Sequence, residues 1–125
     1  MDIALWIAQA LLGLAFLAAG FLHAFRFEQF AANPRVSGWA REVGRSNMRR
    51  IGLLEMAGGI GVILPPLTGV LPWLAPLAAT GLALVMLSAV VFHVRRGEYP
   101  AIASNGVLGA LAVVVAVGRT FIEPF

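Results

Sequence analysis

The sequence predicts an all-α fold, an integral membrane bundle of four antiparallel helices. Hydrophobic residues make up 60% of the 125 residues and charged residues only 12%, whereas about a quarter of a typical soluble domain is charged. The apolar residues also form four long segments, which prolines and arginine-rich stretches separate. Because a helix needs roughly 20 apolar residues to cross a bilayer, these segments predict membrane-spanning helices.

Each helix is predicted from one apolar segment, and together they form a single membrane domain, residues 1–125. The predicted helices cover about residues 3–25, 48–64, 73–95 and 101–119. Pro65 and Pro66 are expected to end the second helix, since proline breaks the hydrogen-bond ladder. The first segment could instead be a cleaved signal peptide. Its start carries Asp2 rather than a basic residue, which favours a retained helix.

A basic cytoplasmic loop, residues 26–47, is predicted between the first two helices. Six arginines and two glutamates lie between positions 26 and 50. A short helix in this loop would place Trp39 and Val43 opposite Arg41, a pattern that suits a segment lying among lipid headgroups. An irregular loop is the alternative.

The arginines also predict how the chain crosses the membrane. The connection between the third and fourth helices carries Arg95 and Arg96, and the middle connection carries no basic residue. Since basic loops stay in the cytoplasm, both termini are expected on the periplasmic or exterior side. Arg119, the lone arginine at that side, is interpreted as an end anchor whose side chain extends to the interface.

Glu55 is the residue that most needs an explanation. No formally charged residue occurs from Met56 to Phe92, so Glu55 stands at the start of a long uncharged run. A bare carboxylate among acyl chains is costly, and such a group is therefore paired, neutral or functional. Gly58 and Gly61, which follow it, would let another helix or a ligand approach closely.

Four polar side chains, one from each predicted helix, are expected in one layer near the cytoplasmic end. They are His23, Glu55, His93 and Asn105. The functional interpretation is a ligand-binding pocket formed by all four, with Glu55 as the catalytic proton acceptor or hydrogen-bond anchor. The alternative is structural: Glu55 and Asn105 join helices, or Glu55 pairs with Arg50, and the histidines lie in the interface.

Several kinds of site are excluded or disfavoured. The chain contains no cysteine, which excludes disulfides, thiol catalysis and thiolate metal sites. No paired histidine spacing on one helix supports a metal site, and none is predicted. No flavin, haem or iron–sulfur motif is present, so no intrinsic cofactor is expected. The arginines flank membrane segments instead of forming a folded basic face, which argues against nucleic acid as a partner.

The sequence resembles the DoxX-like family of small four-helix bacterial membrane proteins. The matching positions run along most of the chain: Ala15-Phe16-Leu17-Ala18-Ala19-Gly20, Gly52-Leu53-Leu54-Glu55, Leu64-Pro65-Pro66-Leu67-Thr68-Gly69, Thr80 to Leu87, His93 to Glu98, Asn105 and Gly118-Arg119. The resemblance implies the bundle fold and the bacterial inner membrane. It also implies an association with membrane redox complexes. The chain departs from the family at His23, where many members carry lysine.

Two function hypotheses follow. The first is a membrane protein that binds a lipophilic small molecule such as a quinone, as a subunit of a membrane redox complex or a small enzyme. Its partners would then be membrane lipid, the ligand, and a redox partner or a second copy of the chain. The second is a non-catalytic scaffold or assembly partner of a membrane complex. A transporter is less favoured, because one four-helix bundle without an internal repeat leaves little room for a pore.

Overall fold

Helices account for all the regular secondary structure in residues 2–125, which is the part of the chain that the computed structural model describes. The chain forms four long helices and three shorter elements, in the order α1 (Asp2–Phe25), α2 (Phe27–Ala31), α3 (Pro34–Val43), α4 (Arg45–Thr68), α5 (Leu74–Arg96), α6 (Tyr99–Val117) and a π-helical turn (Gly118–Ile122). The four long helices, with the π-turn continuing α6, are long and apolar enough to cross a membrane. The predicted all-α membrane bundle is confirmed.

The bundle consists of two closely packed helix pairs, α1 with α4 and α5 with α6. Contacts between α4 and α5 and between α1 and α6 complete a ring of four, and these two seams are less closely packed. The interior contains apolar side chains from all four long helices, including Leu12, Phe16, Val62, Leu82 and Val115. Large apolar side chains also cover the outer faces, for example Ile3, Leu84 and Val107. Lipid is the solvent that suits this exposed apolar surface.

Glycines bring α1 and α4 into backbone contact. A Cβ atom on Gly20 would lie 2.5 Å from the carbonyl oxygen of Gly52, and a Cβ on Gly52 would lie equally close to the carbonyl of Gly20. Gly13 and Gly59 form a second reciprocal pair, with corresponding distances of 2.9 and 2.7 Å. No residue with a side chain fits at such distances, so these glycines set the separation of the two helices.

Helix α4 extends beyond the predicted range 48–64, since it ends at Thr68 with both prolines inside it. A proline nitrogen carries no hydrogen, so Pro66 cannot donate to the carbonyl of Val62, four residues before it. The side-chain amide of Gln9 donates to that carbonyl instead, at 2.7 Å. A side chain from α1 therefore satisfies the carbonyl that Pro66 leaves unpaired, and the helix continues.

The predicted loop, residues 26–47, contains two helices, α2 and α3, and its last residues belong to α4. The short helix predicted to carry Trp39 and Val43 is therefore present as α3, and the alternative of an irregular loop is not. The side chain of Asn33 accepts a hydrogen bond from the backbone N–H of Arg35 and so caps α3. The apolar face of α3 packs against protein, because Ala40 is fully buried together with Met48 of α4. α3 therefore covers one end of the bundle.

Candidate functional site

The four side chains predicted to form a site meet around two adjoining cavities beneath α3. The first, which we call the α4/α5 cavity after the seam it occupies, has a volume of about 350 Å³. The second, the α1/α6 cavity, has a volume of about 340 Å³. Six residues line both cavities: His23, Trp39, Glu55, Met86, His93 and Asn105. The predicted layer thus lies where the two helix pairs meet.

Glu55 is buried, with 2% of its surface exposed, and it pairs with His23. Its Oε1 atom lies 2.6 Å from Nδ1 of His23. The pairing follows from the contact between Gly20 and Gly52. His23 lies three positions after Gly20 on α1, and Glu55 lies three positions after Gly52 on α4. The suggested alternative partner, Arg50, forms no ion pair among residues 2–125.

His93 is also buried, with 2% of its surface exposed. Its Nδ1 atom lies 2.9 Å from Oε1 of Glu98, and Nε of Arg96 lies 3.0 Å from the same oxygen. Partial burial raises the pKa of Glu98, but the hydrogen bond from His93 and the charge of Arg96 outweigh it and lower the pKa below its ordinary value. An ionised carboxylate only accepts hydrogen bonds, so Nδ1 of His93 is the donor.

Asn105, one turn and a half into α6, is half-buried and lines both cavities. Within residues 2–125 its side chain forms no hydrogen bond, in contrast to His23, Glu55 and His93. A side-chain amide offers two donors and an accepting oxygen. Asn105 can therefore donate to or accept from a molecule in either cavity.

Two aromatic residues of the site were missed by the sequence analysis. The ring of Phe30 on α2 lies 4.6 Å from that of His23, and the ring of Trp39 on α3 lies 4.9 Å from that of His93, both edge-on. The amphipathic pattern of α3 was visible, but it was interpreted as contact with lipid headgroups. The same apolar face in fact covers the site at the end of the bundle where α3 lies.

The interpretation of Arg119 as an exposed end anchor is wrong. Only 2% of its surface is exposed, and Nε donates to Oε1 of Gln9 at 2.6 Å. Nη1 lies 2.6 Å from Oδ1 of Asp2, and the guanidinium lies over the ring of Phe125. The end of the bundle away from the cavities is therefore held by a buried polar network.

The side chains around the cavities suit an organic ligand better than a metal ion. His23, Glu55 and His93 line the same space, yet residues 2–125 include no group of three or more metal-ligating side chains close enough to hold a metal. The lining is otherwise largely apolar, with Val85, Met86 and other hydrophobic residues. Such a site offers an apolar surface together with hydrogen-bonding groups at a few fixed points.

Comparison with known proteins identifies the family. The sequence profile of the DoxX-like family matches residues 7–115. The chain belongs to the DoxX-like family. The matched range of this DoxX-like protein includes every residue that lines both cavities, whereas Arg119 lies beyond it. Comparisons with curated proteins and with solved structures found no match.

Proposed function

We propose that this DoxX-like protein binds a lipophilic small molecule such as a quinone in the cavities beneath α3, as a subunit of a membrane redox complex. The observation that carries the proposal is the buried pair of Glu55 and His23 beside an apolar cavity of about 350 Å³. Small-molecule sites typically have volumes of about 300–1,000 Å³, apolar walls and a few well-placed polar groups.

The polar groups suit the head group of such a ligand. Quinone oxygens accept hydrogen bonds, and Asn105 has donors that no residue of the described chain uses. The pair of Glu55 and His23 can hold a proton at either partner and so could exchange one with a bound hydroxyl. Electrons would come from a partner protein or from the ligand, because the chain has neither cysteine nor a redox-cofactor motif.

The position of the cavities favours entry from the lipid. Each lies in one of the two less closely packed seams, between α4 and α5 or between α1 and α6. A molecule dissolved in the bilayer could therefore reach Glu55 without passing through water.

Binding of menadione, a neutral quinone, to protein in phosphatidylcholine nanodiscs tests the proposal. We expect Glu55→Gln to weaken binding about tenfold, equivalent to about 1.4 kcal/mol, because it keeps the shape and removes the acid. Glu55→Ala should weaken binding further, since it also leaves His23 without its partner. Glu28→Gln, at an exposed carboxylate on α2, is the matched control and should bind as the wild type does.

Unchanged affinity in both Glu55 variants would show that Glu55 only holds the helices together. A second candidate function, a non-catalytic scaffold, would be favoured if the wild-type protein bound no menadione. Gly81 and Gly106 support that candidate, because both are exposed on outer helix faces and have open space where a side chain would be. A partner helix could approach closely there. A scaffold would keep its partner in the Glu55→Gln variant.

A further inference from the structure

The two cavities differ in the residues that they do not share. The α4/α5 cavity adds mainly apolar side chains, among them Val43, Ile51 and Phe92. The α1/α6 cavity adds three exposed polar residues, Asn33, Arg35 and Ser104, beside apolar ones such as Val36 and Leu108. An amphiphilic ligand that spans the shared layer would therefore place its apolar body towards α4 and α5 and its polar group towards α1 and α6.

The α1/α6 cavity is lined by one arginine, Arg35, and one carboxylate, Glu55. Its carboxylate, Glu55, is already paired with His23, and Glu98, which holds His93, is paired with Arg96 as well. Arg35 lines this cavity but forms no ion pair within residues 2–125. Four other arginines also lack a carboxylate partner in this part of the chain, but they line neither cavity: Arg26, Arg49, Arg50 and Arg95. The exposed Arg35 is therefore the arginine that lines a cavity and has no carboxylate partner among the described residues.

The start of α6 adds to this field. Pro100 and Ala101, in the first turn of this 19-residue helix, line the α1/α6 cavity. Glu98 at the N-cap makes no side-chain capping hydrogen bond to that turn. The N-terminus of a helix carries a partial positive charge, which favours an anion nearby. Pro100 has no N–H to donate, and the ionised Glu98 at the N-cap already balances part of this charge.

We propose that the α1/α6 cavity binds an oxyanion on the head group of the ligand, and that Arg35 is its counter-ion. The proposal rests on the proposed function, because it assumes that a lipophilic molecule occupies the cavities. It narrows the ligand to one with an ionised hydroxyl or a carboxylate. The planar guanidinium of arginine suits such a group, since it can donate two parallel hydrogen bonds to paired oxygens.

Two naphthoquinones of similar size test the proposal: lawsone, whose hydroxyl is ionised at neutral pH, and menadione, which is neutral. In phosphatidylcholine nanodiscs at neutral pH, the wild-type protein should bind lawsone at least about tenfold more tightly than menadione. Arg35→Gln should remove most of this preference by weakening lawsone alone. Arg50→Gln is the matched control, because Arg50 is exposed, as Arg35 is, but lines neither cavity.

The outcomes separate this inference from the proposed function. Equal affinities for the two quinones, or an equal loss of both in Arg35→Gln, would overturn the oxyanion site and leave quinone binding intact. Binding of neither quinone would overturn both proposals. If phosphatidylglycerol in the discs abolishes the preference for lawsone, the cavity takes the phosphate of a membrane lipid, and a small-molecule oxyanion is the wrong occupant.

Discussion

Each buried polar side chain in this bundle forms a hydrogen bond with another polar group. Pro66 leaves the carbonyl of Val62 without a backbone donor, and Gln9 supplies one. The side-chain oxygen of Gln9 accepts a hydrogen bond from Arg119, whose charge is balanced by Asp2. The side chains of Gln9 and Arg119 thus link the carbonyl that Pro66 leaves unpaired to both ends of the chain.

We expect Gln9→Leu to destabilise the protein by about 1–3 kcal/mol. The substitution leaves the carbonyl of Val62 and one nitrogen of Arg119 without partners in a dry interior, and an unsatisfied buried polar group costs about this much. Unfolding of purified protein by denaturant in detergent measures the change. Asn47→Leu serves as the control, because Asn47 is exposed and bonds only to the preceding turn. Equal stability of the two variants would contradict the argument.

The polar layer around Glu55 was predictable from the sequence, whereas the network around Arg119 was not. Glu55, His23, His93 and Asn105 could be placed at one depth because helix length alone fixes depth. Burial of Arg119 depends instead on the direction of its side chain, which the π-helical turn Gly118–Ile122 sets. No local sequence pattern predicts such a turn.

Helix α1 packs against α4 through glycines that recur every seven residues, Gly13 and Gly20 facing Gly59 and Gly52. The glycines that the sequence analysis named for close approach, Gly58 and Gly61, face α5 instead. The sevenfold repeat matches a left-handed crossing of two helices. This seven-residue spacing can be interpreted only once α1 and α4 are known to pack against each other.

We expect Gly52→Ala to loosen this crossing and to weaken the site. Its Cβ would lie 2.5 Å from the carbonyl oxygen of Gly20 and 2.7 Å from the backbone nitrogen of Ala24, so the helices must separate. Such overpacking typically costs about 1–3 kcal/mol. Because Glu55 lies three residues further along α4, its contact with His23 should open and menadione binding should fall. Thermal unfolding and the nanodisc titration measure the two effects.

Gly106→Ala provides the comparison for that variant. Nothing lies within 4 Å of a Cβ at Gly106, and alanine in a helix is favoured over glycine by about 0.5–1 kcal/mol. The variant should therefore be as stable as the wild type or slightly more stable. If Gly52→Ala behaves in the same way, backbone contact at the glycines does not hold α1 against α4.

For the short helices α2 and α3, the sequence pattern alone does not determine which surface their apolar residues contact. Their apolar residues could face lipid headgroups or the end of a bundle, because both surfaces accept an amphipathic helix. Only the tertiary contacts decide, here the burial of Ala40 and Met48 and the ring of Trp39 against His93. The prolines at the end of α4 were misread for a similar reason, since the group that compensates Pro66 lies on another helix.

The two ends of the bundle differ in how they are closed. At one end α3 lies over two cavities, and at the other the network of Arg119 joins α1 to the chain after α6. Eight of the nine arginines lie at the end with the cavities, since only Arg119 lies at the other. Because Arg119 is buried and paired with Asp2, the second end presents no unpaired arginine to the membrane surface.

This asymmetry predicts that the end with α3 faces the cytoplasm and that both termini face outward. The chain has no cysteine, so single cysteines can report the orientation without background. We expect a cysteine appended after Phe125 to react with a membrane-impermeant maleimide in intact spheroplasts. Ser46→Cys, at the start of α4, should react only after the membrane is permeabilised. The reverse pattern would mean that the arginine-rich end had been translocated. The α1/α6 cavity with Arg35 would then lie in the outer leaflet, and any oxyanion ligand would enter it from that leaflet.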